Sequence, residues 1–304
     1  MSRAVAGALP NLIVIGAMKA GTSALHYYLD LHPEIVMSNP KELDFFVDSR
    51  VAEGDAWDFG EDDLRIERTL NANWSRGVDW YSRHFRSGAR VRGEASPSYT
   101  APWYPDVAQR MASVVSEARL IFLVRDPVER AISNYAHQRT LGRDRRPIED
   151  ALAAARSPYV ARSRYALAIE PFLRRFPSSQ LLVVSREELL ERRRETVRAV
   201  YRFVGVDEDF WSEKAEGERY RGETKVARGP VAQLIARSPA RALARRLPDA
   251  VKSSAERVVA ARRPPEAQVA SPALRTRLAG YLGDDVAHLK ELVGRDFPEW
   301  PAYR

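Results

Sequence analysis

Residues Leu12 to Leu25 constrain this chain more than any other stretch. Leu12 to Ile15 is a short apolar run rich in β-branched residues, the pattern of a parallel strand buried on both faces. It runs directly into GAMKAGTSAL, Gly16 to Leu25. A helix follows with Leu25, Tyr28 and Leu29 on one face and a stop at His32-Pro33. A strand that turns through glycines into a helix opens a doubly wound α/β fold. Later segments agree. Glu34 to Met37, Leu120 to Val124 and Leu181 to Val184 read as further strands. Helical patterns lie at about 148–156, 163–176 and Pro272 to Val293. Four or so apolar strands separated by helices predict a parallel sheet with helices on both sides.

The 304 residues, 45% of them hydrophobic, suffice for one large domain with a substantial core. No Gly/Ser linker and no fixed-period repeat divides them, so a single domain over 1–304 is expected. Residues 48–90 read as irregular loops and short helices, with Trp57, Phe59, Trp74, Trp80, Tyr81 and Phe85 packing them. Pro10 and Asn11 break the apolar N-terminal run, so it does not read as a signal peptide. The chain has no cysteine, which excludes disulfides, thiolate catalysis and Cys-ligated metals and fits a reducing, cytoplasmic setting. Its net charge of +7 suits an anionic partner without choosing one.

The glycine turn narrows the choice. Gly16 and Gly21 permit a tight turn and close backbone approach, Thr22 and Ser23 add hydroxyl donors, and the next helix begins with its positive dipole end. A dianionic or trianionic group fits such a loop, cradled by Lys19, Ala20, Gly21, Thr22 and Ser23. The nucleotide-triphosphatase form is G-x-x-x-x-G-K-[ST]. Here Thr22 stands where that lysine belongs, and the lysine sits earlier, at Lys19. The next apolar strand ends in Arg125 instead of a carboxylate for magnesium. Both departures argue against ATP or GTP hydrolysis.

A second basic site follows that strand, in LVRDPVERAISNY, Leu123 to Tyr135. Arg125 lies at a strand's C-terminal end, where open α/β sheets bind ligands. Ser133 lies about two helical turns further on. A guanidinium and a hydroxyl so placed can share one phosphate. Arg130 is expected either to join them or to pair with Asp126 or Glu129 and hold the helix.

These two segments resemble the 5′-phosphosulfate loop and the 3′-phosphate motif of sulfotransferases that use 3′-phosphoadenosine 5′-phosphosulfate (PAPS). The likeness is to the branch containing heparan sulfate N- and 3-O-sulfotransferases and their bacterial relatives. GEASPSY (Gly93 to Tyr99), RYALAIEPFLRRF (Arg164 to Phe176) and LVGRDFPEW (Leu292 to Trp300) extend it over most of the chain, apart from 48–90 and 225–263. The resemblance implies a P-loop-like parallel sheet flanked by helices, the sulfotransferase fold. It implies transfer of a sulfuryl group from PAPS, without a metal, to a hydroxyl or amine of a small-molecule, glycan or glycolipid acceptor. Lys19 matches the family's loop lysine at the bridging oxygen. Glu42, in KELDFF, matches its catalytic base. His137 matches the histidine that assists the N-sulfotransferases, and Tyr165 lines the cofactor site. Lys225 and Arg228 fall where the family places a basic loop over the cofactor. Two positions depart from the pattern: Asp44 stands where many relatives carry histidine, and Ala95 where 3-O-sulfotransferases carry lysine.

Other readings are a P-loop nucleotide kinase or hydrolase and a non-enzymatic polyanion-binding module. The second would use residues 225–263, which hold ten Lys or Arg against Asp249 and Glu256. That segment reads either as a solvated helical insertion or as a lid or docking surface for an anionic substrate or membrane. It contains no Phe, Trp or Tyr to interleave with its charges, so no nucleic-acid partner is expected.

Overall fold

A computed structural model of the protein describes residues 8–48, 72–85, 88–216 and 268–304. Five strands form one parallel sheet: β1 (Leu12–Gly16), β2 (Ile35–Met37), β3 (Val91–Ala95), β4 (Arg119–Val124) and β5 (Leu181–Ser185), in the spatial order β2-β3-β1-β4-β5. β1 is buried along its whole length. β4 exposes only Arg119, whose guanidinium donates to the Val204 carbonyl. Their near-continuous apolar runs have this cause: helices cover both faces of a parallel sheet.

β3 is the strand that the apolar pattern does not reveal. Its residues, VRGEA, include an arginine and a glutamate. Gly93 leaves room there for the Met37 side chain of neighbouring β2, whose sulfur a Cβ would meet at 2.2 Å and have to displace. Glu94 is fully buried and held by hydroxyl groups. Polarity that would ordinarily mark a loop is neutralised by specific partners.

Helix α1 (Thr22–Asp30) leaves β1 through the glycine turn, and α2 (Gly77–Ser82) lies between β2 and β3. Helix α3 (Val107–Val115) precedes β4 and α4 (Pro127–Thr140) follows it. After two short helices, α5 (Ile148–Ala151) and α6 (Pro158–Ala161), comes α7 (Tyr165–Leu173). Helices α8 (Arg186–Glu191) and α9 (Arg193–Val204) follow β5, and α10 (Pro272–Val293) is the long C-terminal helix expected from its apolar spacing. The 148–156 pattern is helical only over α5.

Helix α10 packs against α4, α6 and α7, burying Leu274, Leu278 and Leu282 with Val128, Tyr135 and Tyr159. Asp285 of α10 accepts hydrogen bonds from the amides of Ala166 and Leu167. This satisfies two donors at an α7 terminus that has no side-chain cap of its own. Residues far apart in sequence thereby fix Tyr165, at the start of α7, beneath the end of β4.

Among residues 72–85, Trp74 opens a short 3₁₀ turn and Tyr81 and Phe85 are buried. The aromatics there do pack the loops: Tyr81 stacks on Phe45 with ring centroids 4.1 Å apart. Trp57, Phe59, Lys225, Arg228 and the basic segment 225–263 lie outside the described residues.

Candidate active site

Parallel strands place their C-terminal ends at one edge, and the expected site residues follow those ends. The glycine turn follows β1, KELDFF follows β2, residues 96–100 follow β3, and Arg125 follows β4. Since β3, β1 and β4 are neighbours, these loops lie side by side.

The glycine turn is held from both sides. The Ala17 amide donates to the Leu123 carbonyl of β4 at 2.7 Å, and Ala20 N–H closes back to the Ala17 carbonyl at 3.1 Å. A Cβ at Gly16 would meet Thr100 Oγ1 at 2.1 Å, so only glycine fits there. Gly21 has φ 103° and opens α1 with no side-chain cap and no acidic residue in the first turn. The N-terminal end of this nine-residue helix therefore offers amide donors and its positive dipole end to an anion. Thr22 is buried and Ser23 half-buried beside it.

Three non-glycine residues among those described have a left-handed backbone: Lys19 (φ 71°), Glu42 (φ 65°) and Asp44 (φ 48°). Side chains rarely accept this conformation, and it concentrates at functional sites. Two of the three are the residues singled out for the leaving group and the base.

At the β4 end, the Arg125 guanidinium is within 3.7 Å of Glu129, and its Nε is buried with no hydrogen-bond partner among the described residues. That donor is available to an anion arriving at this strand end. Tyr165 is fully buried and does not line the opening. Its hydroxyl donates to the Arg125 carbonyl at 2.8 Å and lies 3.3 Å from the Arg125 amide, so it fixes the peptide from behind. Burial pushes the Tyr165 phenol well up, keeping it a neutral donor. Asp126 caps α4 by accepting from the Val128 and Glu129 amides.

Arg130 holds its helix in place through contacts beyond it. It is fully buried, donates to Ser163 Oγ at 2.6 Å and to the Tyr159 carbonyl, and reaches the Met18 carbonyl of the glycine turn at 3.5 Å. It ties α4 to that turn. Ser133 and His137 are half-buried on α4, one turn apart.

Behind the KELDFF turn lies a buried polar network that the sequence pattern does not reveal. Glu42 is half-exposed and ion-paired with Lys41, and its amide donates to the Ala95 carbonyl at 3.2 Å. The following residues, Leu43 to Val47, are buried. Glu94 Oε1 accepts from Ser96 Oγ and from the Tyr99 hydroxyl, both at 2.6 Å, and Oε2 accepts from the Tyr81 hydroxyl. The same two oxygens, Ser96 Oγ and Tyr99 Oη, accept from the amides of Asp44 (3.1 Å) and Phe45 (2.9 Å). Ser98 donates to Asp44. From α1, His26 Nε2 lies 3.4 Å from the Ser38 carbonyl. Burial first, and then Lys41, lowers its pKa. The signal for this network is a glutamate between small residues in GEASPSY, since a buried carboxyl demands donors.

Burial pushes the Glu94 carboxyl up from about 4.5 to about 7, against the pull of its three hydroxyl donors. Burial likewise raises Asp44 from 3.8 to about 6, against Ser98. In both cases the folded protein holds a proton that the unfolded chain has released. The unfolded chain binds fewer protons in this window, so stability falls as the pH rises from about 4 to about 7. Glu94→Gln, isosteric with the neutral acid, should flatten the upper part of that fall, on the order of 2–3 kcal/mol. Urea melts of both proteins at pH 5 and 7.5 check this. An equal pH slope in the two would refute it.

The sulfotransferase family model matches residues 10–213, a span that begins just before β1 and ends after α9. The chain belongs to the sulfotransferase family. A crystal structure of a sulfotransferase from Alicyclobacillus acidocaldarius superposes with a TM-score of 0.67 at 27% identity, covering 96% of this chain and 99% of that one. The membrane-associated sulfotransferase kil1 of Dictyostelium discoideum is 36% identical over 132 residues, 42% of this sulfotransferase and 22% of that protein. The human bifunctional heparan sulfate N-deacetylase/N-sulfotransferase 2 is 25% identical over 256 residues, 73% of this chain and 27% of that protein. The sulfotransferase thus spans about a quarter of the length of these curated relatives. It is a transferase enzyme, and the kinase, hydrolase and binding-module readings are set aside.

Proposed function

We propose that this sulfotransferase takes its sulfuryl group from PAPS and delivers it to a hydroxyl or amine of a carbohydrate-containing acceptor, a glycan or a glycolipid. The observation that carries the donor is the pair of anion sites at neighbouring strand ends. One is the uncapped α1 terminus with Lys19 in its loop, and the other is Arg125 at the β4 end, whose Nε has no partner among the described residues. Two phosphates of one nucleotide, at its 5′ and 3′ positions, match two sites on adjacent β1 and β4. The carbohydrate acceptor rests on relatives whose names specify heparan sulfate.

PAPS would supply an activated sulfuryl group whose departure leaves charge on a phosphate oxygen. The loop amides and the Thr22 and Ser23 hydroxyls would hold the 5′-phosphosulfate, and Arg125 with Ser133 the 3′-phosphate. Glu42 would take the acceptor proton as the acceptor oxygen or nitrogen bonds to sulfur. Lys19 would meet the negative charge as the bond from sulfur to the bridging oxygen breaks. His137 belongs to the acceptor side of the same cleft and Tyr165 acts through Arg125. Lys225 and Arg228 are proposed as further cofactor contacts. The basic segment 225–263 is proposed as a docking surface for an anionic acceptor or membrane, and the setting as cytoplasmic.

Adenosine 3′,5′-bisphosphate should raise the melting temperature without magnesium, by binding the folded state preferentially. ATP with magnesium should do so less, and the reverse ranking would sink the donor assignment. Arg125→Ala should weaken PAPS binding by roughly tenfold or more, the worth of one to two charge-assisted hydrogen bonds. It should leave adenosine 5′-phosphosulfate, which lacks the 3′-phosphate, nearly unchanged in calorimetry. Equal losses for both ligands would place Arg125 elsewhere. Labelled PAPS with a panel of desulfated glycans and glycolipids, read by mass spectrometry, tests the acceptor class.

A further inference from the structure

We propose that Glu94 is a positioning residue for the base: through Ser96 and Tyr99 it holds the left-handed turn that presents Glu42. The inference rests on the assignment of Glu42 as base and adds what fixes it in place.

Glu42 stands on an unusual stretch of backbone. Glu42 and Asp44 are both left-handed, one residue apart, and neither is a glycine. Such a turn needs its surroundings to determine it. Upstream, the Glu42 amide is pinned to the end of β3 through the Ala95 carbonyl. Downstream, the Asp44 and Phe45 amides have one acceptor each, Ser96 Oγ and the Tyr99 hydroxyl oxygen. Both contacts are buried.

A hydroxyl can accept from an amide only if its own proton points elsewhere. For Ser96 and Tyr99 that proton points at one atom, Glu94 Oε1, at 2.6 Å from each. Glu94 thereby dictates which way both hydroxyls face. Without an acceptor at Oε1, either hydroxyl can turn its proton toward the amide, and donor would then meet donor at a buried contact.

The two oxygens of Glu94 have different jobs. Oε1 serves the turn, whereas Oε2, among the described residues, meets the Tyr81 hydroxyl. Glutamine can keep the Oε1 function and place its NH₂ toward Tyr81. Alanine keeps neither. The network therefore depends on an accepting oxygen at one place, and a negative charge is not required for it.

The test compares Ser96→Ala/Tyr99→Phe, Glu94→Ala and Glu94→Gln with wild type. Tyr201→Phe serves as a control, because it removes another buried hydroxyl, one bonded to the Tyr28 carbonyl away from this turn. Hydrogen–deuterium exchange of the 38–48 peptide reads the turn directly. Release of adenosine 3′,5′-bisphosphate from PAPS reads turnover. The Ser96/Tyr99 double variant should exchange the Asp44 and Phe45 amides roughly tenfold faster or more per lost bond and lose turnover by a similar factor, with KM for PAPS unchanged. Glu94→Gln should recover most of what Glu94→Ala loses, and Tyr201→Phe should not change exchange in the peptide. Unchanged exchange at 44–45 in the double variant overturns the proposal, as does a turnover loss of the same size in Tyr201→Phe. If wild type neither binds the bisphosphate nor releases it from PAPS, the donor assignment fails, while the exchange comparison still decides what holds the turn.

Discussion

Glu42→Gln is expected to lower turnover by roughly 10²–10⁴-fold, the usual worth of general acid–base catalysis, while the thermal shift caused by adenosine 3′,5′-bisphosphate stays as in wild type. The substitution keeps the shape of the side chain and removes only its ability to take a proton. Folding should not suffer, because Glu42 is half-exposed and its one ion pair, with the adjacent Lys41, lies at the surface. The turn beneath it is held by backbone bonds to Ala95, Ser96 and Tyr99, which the change does not touch. A loss of turnover with intact nucleotide binding and an unchanged melting temperature separates a chemical defect from a structural one. Wild-type turnover would show that the base is misassigned, and His137, half-buried on α4, would be the next residue to test.

The sequence makes the proposed nucleotide-binding side of the site legible and the proposed acceptor side only partly so, for a physical reason. Phosphate binding relies on backbone amides, glycine and a few fixed cations, and these leave a compact local pattern. GAMKAGTS and LVRDP stand out by residue type, by position at strand ends and by the family resemblance, and the structure puts them after neighbouring strands. The apolar strands β1, β4 and β5 are equally plain. β3 is not, because Gly93 and Glu94 are there for what they touch across the sheet, a methionine on β2 and three hydroxyls from later segments. Partners such as Tyr81, 13 residues before Glu94 in the chain, carry no periodic signal.

Tyr165 shows the same limit from the other direction. The family resemblance puts it at the cofactor site. In the structure it is fully buried, and its hydroxyl meets the Arg125 peptide. Arg130 reaches beyond its own helix, to Met18 and Ser163. A position in a motif says that a residue matters near the site, whereas its direction depends on packing. The direction of Tyr165 is set by α10, whose Asp285 caps α7 from more than a hundred residues away.

Lys19→Ala should lower turnover by roughly 10²–10³-fold, the cost of removing one donor aimed at charge that develops in the transition state. The expected pattern differs from that of the other two site variants. Glu42→Gln affects turnover alone. Arg125→Ala affects mainly ground-state binding, because the 3′-phosphate carries the same charge before and after transfer. Lys19 is proposed to face the group whose charge changes, so its loss should appear chiefly in kcat, with a smaller loss of PAPS affinity. The backbone at Lys19 allows a further control. At φ 71° any side chain is strained and glycine is not, so Lys19→Gly removes the cation while easing the turn. If the ammonium group is what matters, Lys19→Gly and Lys19→Ala lose turnover equally. If Lys19→Ala acts by distorting the loop, Lys19→Gly restores activity, and the role of Lys19 is then structural. Single-turnover kinetics on both variants, with PAPS affinity measured by calorimetry, distinguishes the two results.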